Sequence, residues 1–377
     1  MSLLKYPGGK EQELPIIIQN LPQKIDNYFE PFVGGGTVYL NIQAENFFIN
    51  DKSEELVNLY NSVKEQNNDF FSTLEHIEYN WNLLTSIVIT DFFKLKSIYL
   101  KFKSSELNKN KLFDSVNEYI LENIKSFSEM FQVPYNYYID NFVKEINKNL
   151  ISKFSRMCKL EKEKGILSEN DMFKNIECAF KSAFYMHCRY IYNHFKEIHE
   201  TKGFQSAIYL FIRDMCYSSM FRYNANGDFN VPYGGISYNN KSFKSKIKFY
   251  KEKPLLTKLN KTKIYCLDFY DFLLKENPDR GDFIFLDPPY DTEFSNYARN
   301  EFNRSDQKRL SEYLINECVA NFMLIIKNTD YIKSLYPKNI KCKNNNLLNV
   351  KNFQKNYLVS FKNRNDKNTE HLLITNY

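Results

Sequence analysis

The sequence contains no run approaching the roughly 20 apolar residues of a membrane span. Residues 1–10 lead into no long apolar stretch with a small-residue cleavage site, so no secretory leader and a cytoplasmic location are expected. Cysteine is sparse. The 7 residues are scattered and odd in number, which argues for reduced thiols rather than a disulfide framework. Tryptophan occurs once, and no internal repeat or low-complexity linker breaks the 377 residues. That length suits one large domain or two ordinary ones. What is present reads as globular: 43% hydrophobic and 25% charged residues, with 33 Phe and 28 Tyr to fill a sizeable core. The formal net charge of +6 permits a polyanionic partner without requiring one.

Five short runs, 26–30, 47–51, 263–269, 283–287 and 322–327, are apolar or aromatic and then meet a polar or Gly/Pro turn. Buried parallel strands read this way. Helix-like segments such as 53–64 and 306–318 lie between them, so the pattern predicts an α/β doubly wound sheet. Two final runs, 357–361 and 371–375, flank the polar turn 362–369 and predict an antiparallel hairpin at a sheet edge. From about 62 to 210 the spacing of Leu, Ile, Phe and Tyr is helical, most clearly over 118–131 and 173–199. In 241–263 nine lysines alternate with Phe243, Phe249 and Tyr250. This segment is read either as a solvated edge, since Lys protects exposed strands, or as a phosphate-contacting surface.

The chemistry-bearing residues sit at the ends of the expected strands. Glu30-Pro31-Phe32-Val33-Gly34-Gly35-Gly36-Thr37 places three glycines between a strand and a helix start. Such a turn is either a plain tight turn or a loop that lets the backbone approach a ligand. The next strand ends at Asp51, suited to the two hydroxyls of a ribose or to capping a helix; the spacing from the glycine loop favours the ribose. Asp287-Pro288-Pro289-Tyr290 is preceded by the buried run Phe283 to Leu286, and two prolines directly after a strand have no ladder role and stiffen a loop. Asp287 and the Pro288 carbonyl can accept hydrogen bonds from an amino group. Tyr290 offers a face for stacking a planar ring, which fits an extruded nucleobase. Cys178, His187, Cys188, His194 and His199 share a helical stretch without metal-site spacing, and no metal is expected.

These pieces, in order, resemble an adenine-N6 DNA methyltransferase of the Dam type. The matching blocks are Lys5-Tyr6-Pro7-Gly8-Gly9-Lys10, the run Glu30 to Gly36, Asp51, Arg222 to Gly234, and Asp287 to Tyr290, with weaker agreement at Asn296, Tyr297 and Phe302 and after Asn363. The resemblance implies a Rossmann-like α/β sheet that binds S-adenosylmethionine, formed by 1–61 and 262–377. It also implies an inserted, mostly helical DNA-recognition lobe, 62–261: helical 62–210, DNA-recognition motif 211–235 and basic segment 241–261. Tyr6, Lys10, Glu30, Phe32, Gly34, Gly36, Asp51, Asp268 and Asp287 would contact the cofactor, Lys10 near its carboxylate and Asp268 near its adenine. Asp287, Pro288 and Tyr290 would be catalytic. Lys5, Tyr217, Met220, Arg222, Asn230 and Pro232 would touch double-stranded DNA, Arg222 reading guanine in the major groove. A monomer is implied, and a partner restriction endonuclease is left open.

Two departures put the target sequence in doubt. Ser218 stands where members that methylate GATC usually carry Asn, and 62–210 exceeds the usual recognition region. Rival readings are a catalytically idle DNA-binding protein on the same fold, and methylation of RNA or of a protein glutamine amide. The intact Asp287 and glycine loop oppose the first, and the block around Arg222 opposes the second. The lysines of 144–164 are expected either to reach phosphates or to line a helical cap.

Overall fold

The computed structural model describes residues 2–6, 8–131, 135–220, 222–290, 302–356 and 368–377. The chain folds as two compact units, one of Met1–Glu65 with Tyr250–Tyr377 and one of Gln66–Phe249.

The first unit is built on one sheet of β1 Asn27–Glu30, β2 Asn46–Asn50, β3 Thr262–Tyr265, β4 Phe283–Leu286, β5 Asn321–Lys327, β6 Asn349–Asn356 and β7 Asn368–Thr375. The spatial order is β3-β2-β1-β4-β5-β7-β6. The first five strands pair in parallel, and only β7 runs against its neighbours. The unbroken apolar β4, Phe283 to Leu286, is buried along its whole length, as expected of a strand covered on both faces. Strand order reverses at the β1–β4 pair. A doubly wound sheet opens a crevice beyond its strand ends at such a point.

The expected run 263–269 is a strand only to Tyr265. The side chain of Asn50 takes over both backbone groups of Leu267, accepting from its N–H at 2.9 Å and donating to its carbonyl at 3.0 Å. Asp268 then caps the helix Phe269–Glu276. Of the expected terminal hairpin, 371–375 lies within β7, which begins at Asn368 and pairs antiparallel with β6, a run ahead of the expected 357–361, at the sheet edge. The expected run 357–361, like Pro7, Asn296, Tyr297 and Asn363, lies outside the described residues.

The second unit is helical: Asn68–Lys103, Lys109–Glu122, Ile124–Met130, Ile139–Lys164, Glu169–Asn193, Lys202–Met215 and Lys244–Tyr250. Side chains of Asn67, Asn108, Ser168 and Thr201 accept from backbone N–H groups of the first turn and start four of these helices. Two helical expectations are corrected in detail. The run 118–131 is broken at Asn123, whose amide folds back onto the Tyr119 carbonyl. The run 173–199 stops at Asn193, because the His194 ring stacks on Tyr190 at 4.0 Å and its Nδ1 lies 2.8 Å from the Tyr190 carbonyl. The basic segment is not a strand edge either, for it forms the helices Lys244–Tyr250 and Lys253–Asn260. Two of its lysines are held within their own unit: Lys246 on Asp214, Lys258 on the Ile42 carbonyl and over the Phe47 ring. Among the described residues no helix is long and apolar enough to cross a membrane.

Candidate active site

The loop after β1 is fixed by backbone geometry that demands glycine. Gly34 and Gly36 take φ of 48° and 74°. A Cβ on Gly36 would lie 2.4 Å from the Tyr60 hydroxyl, and one on Gly35 would lie 2.3 Å from the Leu4 carbonyl oxygen. Tyr60, on the helix Glu54–Lys64, donates to the Gly34 carbonyl at 3.1 Å and so holds the loop from beneath. Tyr6 covers the loop from another side, its ring 3.1 Å from where a Gly34 Cβ would stand.

The carboxyl end of β2 meets this loop. Val33 donates to the Asn50 carbonyl at 2.9 Å, and the Asn50 amide donates to the Pro31 carbonyl at 3.1 Å. Asp51 accepts from the backbone of Gly34 at 3.1 Å and of Ser53 at 3.0 Å. Burial raises its carboxyl to about 6, against those backbone donors, which favour the ionised form. Asp51 therefore binds the glycine loop through one oxygen while Ser53 caps the following helix.

Glu30 ends β1 and is buried. It accepts from the Tyr28 hydroxyl at 2.6 Å. Burial lifts its carboxyl to about 8, the Tyr28 hydrogen bond opposes this, and the nearby Asp287 adds to it. Asp287 follows β4, the neighbour of β1, so the topology brings both carboxyls to one end of the sheet. Lys10 joins them. Its buried ammonium donates to Asp287, to the Gly8 carbonyl at 2.9 Å and toward the Tyr290 hydroxyl at 3.5 Å. The ammonium expected near a cofactor carboxylate thus lies against Asp287 and Tyr290.

Pro288 is buried and Pro289 exposed. The fully buried Gln307 donates to the Pro289 carbonyl at 2.8 Å and fixes the loop from the helix Arg304–Asn316. Tyr290 is half-buried and meets the His371 ring edge-on at 5.5 Å. Phe32 packs between Phe269 and Phe302, with centroid distances of 5.5 Å to each. Asp268 is placed differently from the others: it accepts from Tyr270 N–H and from Arg309 at 2.7 Å. Sequence reasoning did not single out Asn50, Tyr60 or Gln307. Only Asn50, a polar residue ending an apolar strand next to Asp51, carried a local signal.

In the second unit, Arg222 to Gly234 forms a hairpin closed by an Asn224–Asp228 turn with Gly227 at φ of 82°. Tyr217 donates its N–H to the Pro232 carbonyl at 2.8 Å, and Arg222 Nε donates to Asn230 at 2.9 Å. Tyr217, Arg222 and Pro232 are exposed, Met220 and Asn230 half-buried, so the structure groups these five on one hairpin and its flank. Lys5, in the first unit, is exposed. His187 is buried, with Nε2 3.1 Å from the Tyr135 carbonyl, and Cys178 and Cys188 are buried thiols raised by desolvation.

A family model described as D12 class N6 adenine-specific DNA methyltransferase matches residues 6–159 and 134–356. The chain is 26% identical over 353 residues to the type II methyltransferase M.MjaIII of Methanocaldococcus jannaschii, covering 88% of this chain and 86% of that protein. Over 177 residues it is 31% identical to the type II methyltransferase M.CviBI of Paramecium bursaria Chlorella virus NC1A, 45% of this chain and 60% of that protein. Over 202 residues it is 30% identical to the retron Ec67 DNA adenine methylase of Escherichia coli, 53% of this chain and 66% of that protein.

Proposed function

This chain belongs to the D12 class of N6 adenine-specific DNA methyltransferases, and from that premise we propose that it methylates adenine N6 in double-stranded DNA, using S-adenosylmethionine and a flipped target base. The observation that carries the reading is the meeting of the glycine loop, Asp51 and Asp287 at adjacent strand ends beside the β1–β4 reversal. The residues suit the cofactor. The loop is all glycine from Gly34 to Gly36, with Gly35 and Gly36 packed against Leu4 and Tyr60, and Asp51 beside it is a partly covered acceptor for ribose hydroxyls. Gly34, Gly36, Asp51 and Tyr6 would hold it, with Glu30 and Phe32 lining the site. When bound, S-adenosylmethionine supplies a methyl group activated by its sulfonium.

The chain's own residues then act on the amine. Its lone pair is delocalised into the ring, so it is a poor nucleophile. Hydrogen bonds accepted by Asp287 and the Pro288 carbonyl draw the nitrogen toward tetrahedral geometry and aim its lone pair. Tyr290 stacks on the base. Lys10 holds the Asp287 carboxylate, and Gln307 holds the Pro289 carbonyl. No cysteine nucleophile is required. The hairpin around Arg222 and the unit Gln66–Phe249 that carries it serve as the target-recognition lobe.

The test is transfer of labelled methyl to duplex DNA followed by nucleoside analysis. Label in N6-methyladenine is expected. Label only in cytosine, RNA or protein refutes the reading.

A further inference from the structure

The hairpin that carries Arg222 and Asn230 is not free on its outer edge. In an antiparallel pair, successive residues direct their backbone groups to opposite edges. Asn230 N–H donates to the Arg222 carbonyl at 3.1 Å and Asn224 N–H to the Asp228 carbonyl at 2.9 Å, so Asp228 and Asn230 pair across the hairpin. Phe229 and Val231 therefore turn theirs outward, toward the helix Glu169–Asn193.

Three side chains of that helix, at four-residue steps along one stripe, take those groups. Asn193 donates to the Phe229 carbonyl at 3.1 Å and accepts from the Phe229 N–H at 2.9 Å. Arg189 donates to the Val231 carbonyl at 3.1 Å, and Tyr185 donates to the same oxygen at 2.8 Å. The helix face stands in for a neighbouring strand. It fixes which residues face in: Phe229 and Val231 are 1% and 0% exposed, while Arg222 and Pro232 are exposed. A one-residue slip would reverse this assignment.

We propose that Tyr185, Arg189 and Asn193 are specificity-determining positioning residues, which lock the register of the hairpin so that Arg222 and Asn230 meet base edges in one fixed arrangement. This rests on the reading of the hairpin as the part that reads DNA bases. It also gives the long helical segment a function: its helix Glu169–Asn193 is the backboard of the reading hairpin.

The experiment measures methylation of duplexes carrying the preferred site and each single-base variant of it, using the full-length protein. Asn193→Ala removes both bonds to Phe229. Tyr185→Phe with Arg189→Met strips the Val231 carbonyl, and Tyr185→Phe with Arg189→Lys restores one donor. Base contacts held in register are what discriminate against a wrong base pair, so the ratio of kcat/KM for the preferred site over its variants should fall roughly tenfold in the first two proteins. It should recover in the third, with kcat on the preferred site changed by less than about threefold. Undiminished discrimination in a folded, active Asn193→Ala protein overturns the proposal alone. So does an equal loss of activity on every site that tracks a lowered melting temperature, which would mark a merely structural role. Failure of the unsubstituted protein to methylate DNA adenine at any preferred sequence overturns the functional reading, and this proposal with it.

Discussion

Lys10 donates to the carboxylate of Asp287 across 277 residues of chain, and both side chains are directed to the place where β1 and β4 end side by side. The contact ties the amino-terminal segment to the loop that follows β4. It also sets two roles apart. Asp287→Ala should lower kcat by orders of magnitude while DNA binding stays within a few-fold, as follows from the proposed action of the carboxylate on the reacting amine. Lys10→Met should lower kcat less. Single-turnover methyl transfer alongside a DNA-binding isotherm checks both, and near-normal kcat in Asp287→Ala would make that residue structural.

Gly36→Ala should destabilise the first unit by about 1–3 kcal/mol, since it imposes a side chain on a left-handed backbone. It also drives a methyl group against the Tyr60 hydroxyl. Adding Tyr60→Phe should recover the part due to that contact and leave the backbone part. Denaturant melts of the two single variants and the double variant separate the terms; full recovery in the double variant would refute the backbone argument.

Asp51 should make cofactor binding sensitive to acid. Its carboxyl stands at about 6, raised by burial, and ribose hydroxyls need the ionised form as acceptor. The Kd for S-adenosylmethionine should be level at higher pH and rise as pH falls through that value, approaching tenfold per unit below it. Asp51→Asn should bind weakly with no such dependence. Calorimetric titration across the range decides, and a flat profile in the unsubstituted protein would remove Asp51 from the ribose contact.

Glu30 predicts the opposite sensitivity in stability. Its folded carboxyl is held at about 8, above its ordinary 4.5, because burial disfavours the charge. The folded state therefore keeps the proton more tightly than the unfolded chain. The stability this confers is fully present below 4.5 and is lost as pH rises toward 8, at up to about 1.4 kcal/mol per unit. Glu30→Gln, which still accepts from the Tyr28 hydroxyl, should flatten that slope in denaturant unfolding followed over the same window. Parallel slopes in the two proteins would show that Glu30 is ionised in the fold.

The site was legible where its residues are neighbours in sequence. The proline loop announces itself, since two prolines after a strand have no ladder role; the glycine loop alone could be a plain tight turn and gained meaning from its spacing to Asp51, and the apolar runs before both loops marked the strands. Tyr60 and Gln307 were not legible. Each touches a loop whose backbone partner lies far off in sequence, at Gly34 and Pro289, and a Tyr or Gln on a helix face looks the same whether or not it reaches such a partner. The segment 241–263 was open to the strand reading because Lys and aromatic residues alternate over part of it. The signal against that was Pro254, which sits in the first turn of the helix Lys253–Asn260, where proline is tolerated.

The helix Ile139–Lys164 offers the last test. Lys144, Lys148, Arg156 and Lys159 are exposed and fall at four-, eight- and three-residue steps, which places them on one stripe. Two of them have acidic neighbours on the same helix, Lys148 with Glu145 at 3.3 Å and Lys159 with Glu163 at 3.8 Å. The second pair is exposed on both sides and such pairs are worth little, about 0–1 kcal/mol, so Lys159 can leave Glu163 for a phosphate, whereas Lys148 leans on the buried Glu145. If the stripe follows the DNA backbone beyond the bases the hairpin is proposed to read, neutralising Lys144, Lys148 and Lys159 together should shorten the footprint. The slope of log K against log salt should then shrink by about one per lost contact. Sequence preference should hold, because phosphate contacts set position and affinity without reading bases. Affinity, footprint and slope all matching the unsubstituted protein would make the stripe a solvated helix face.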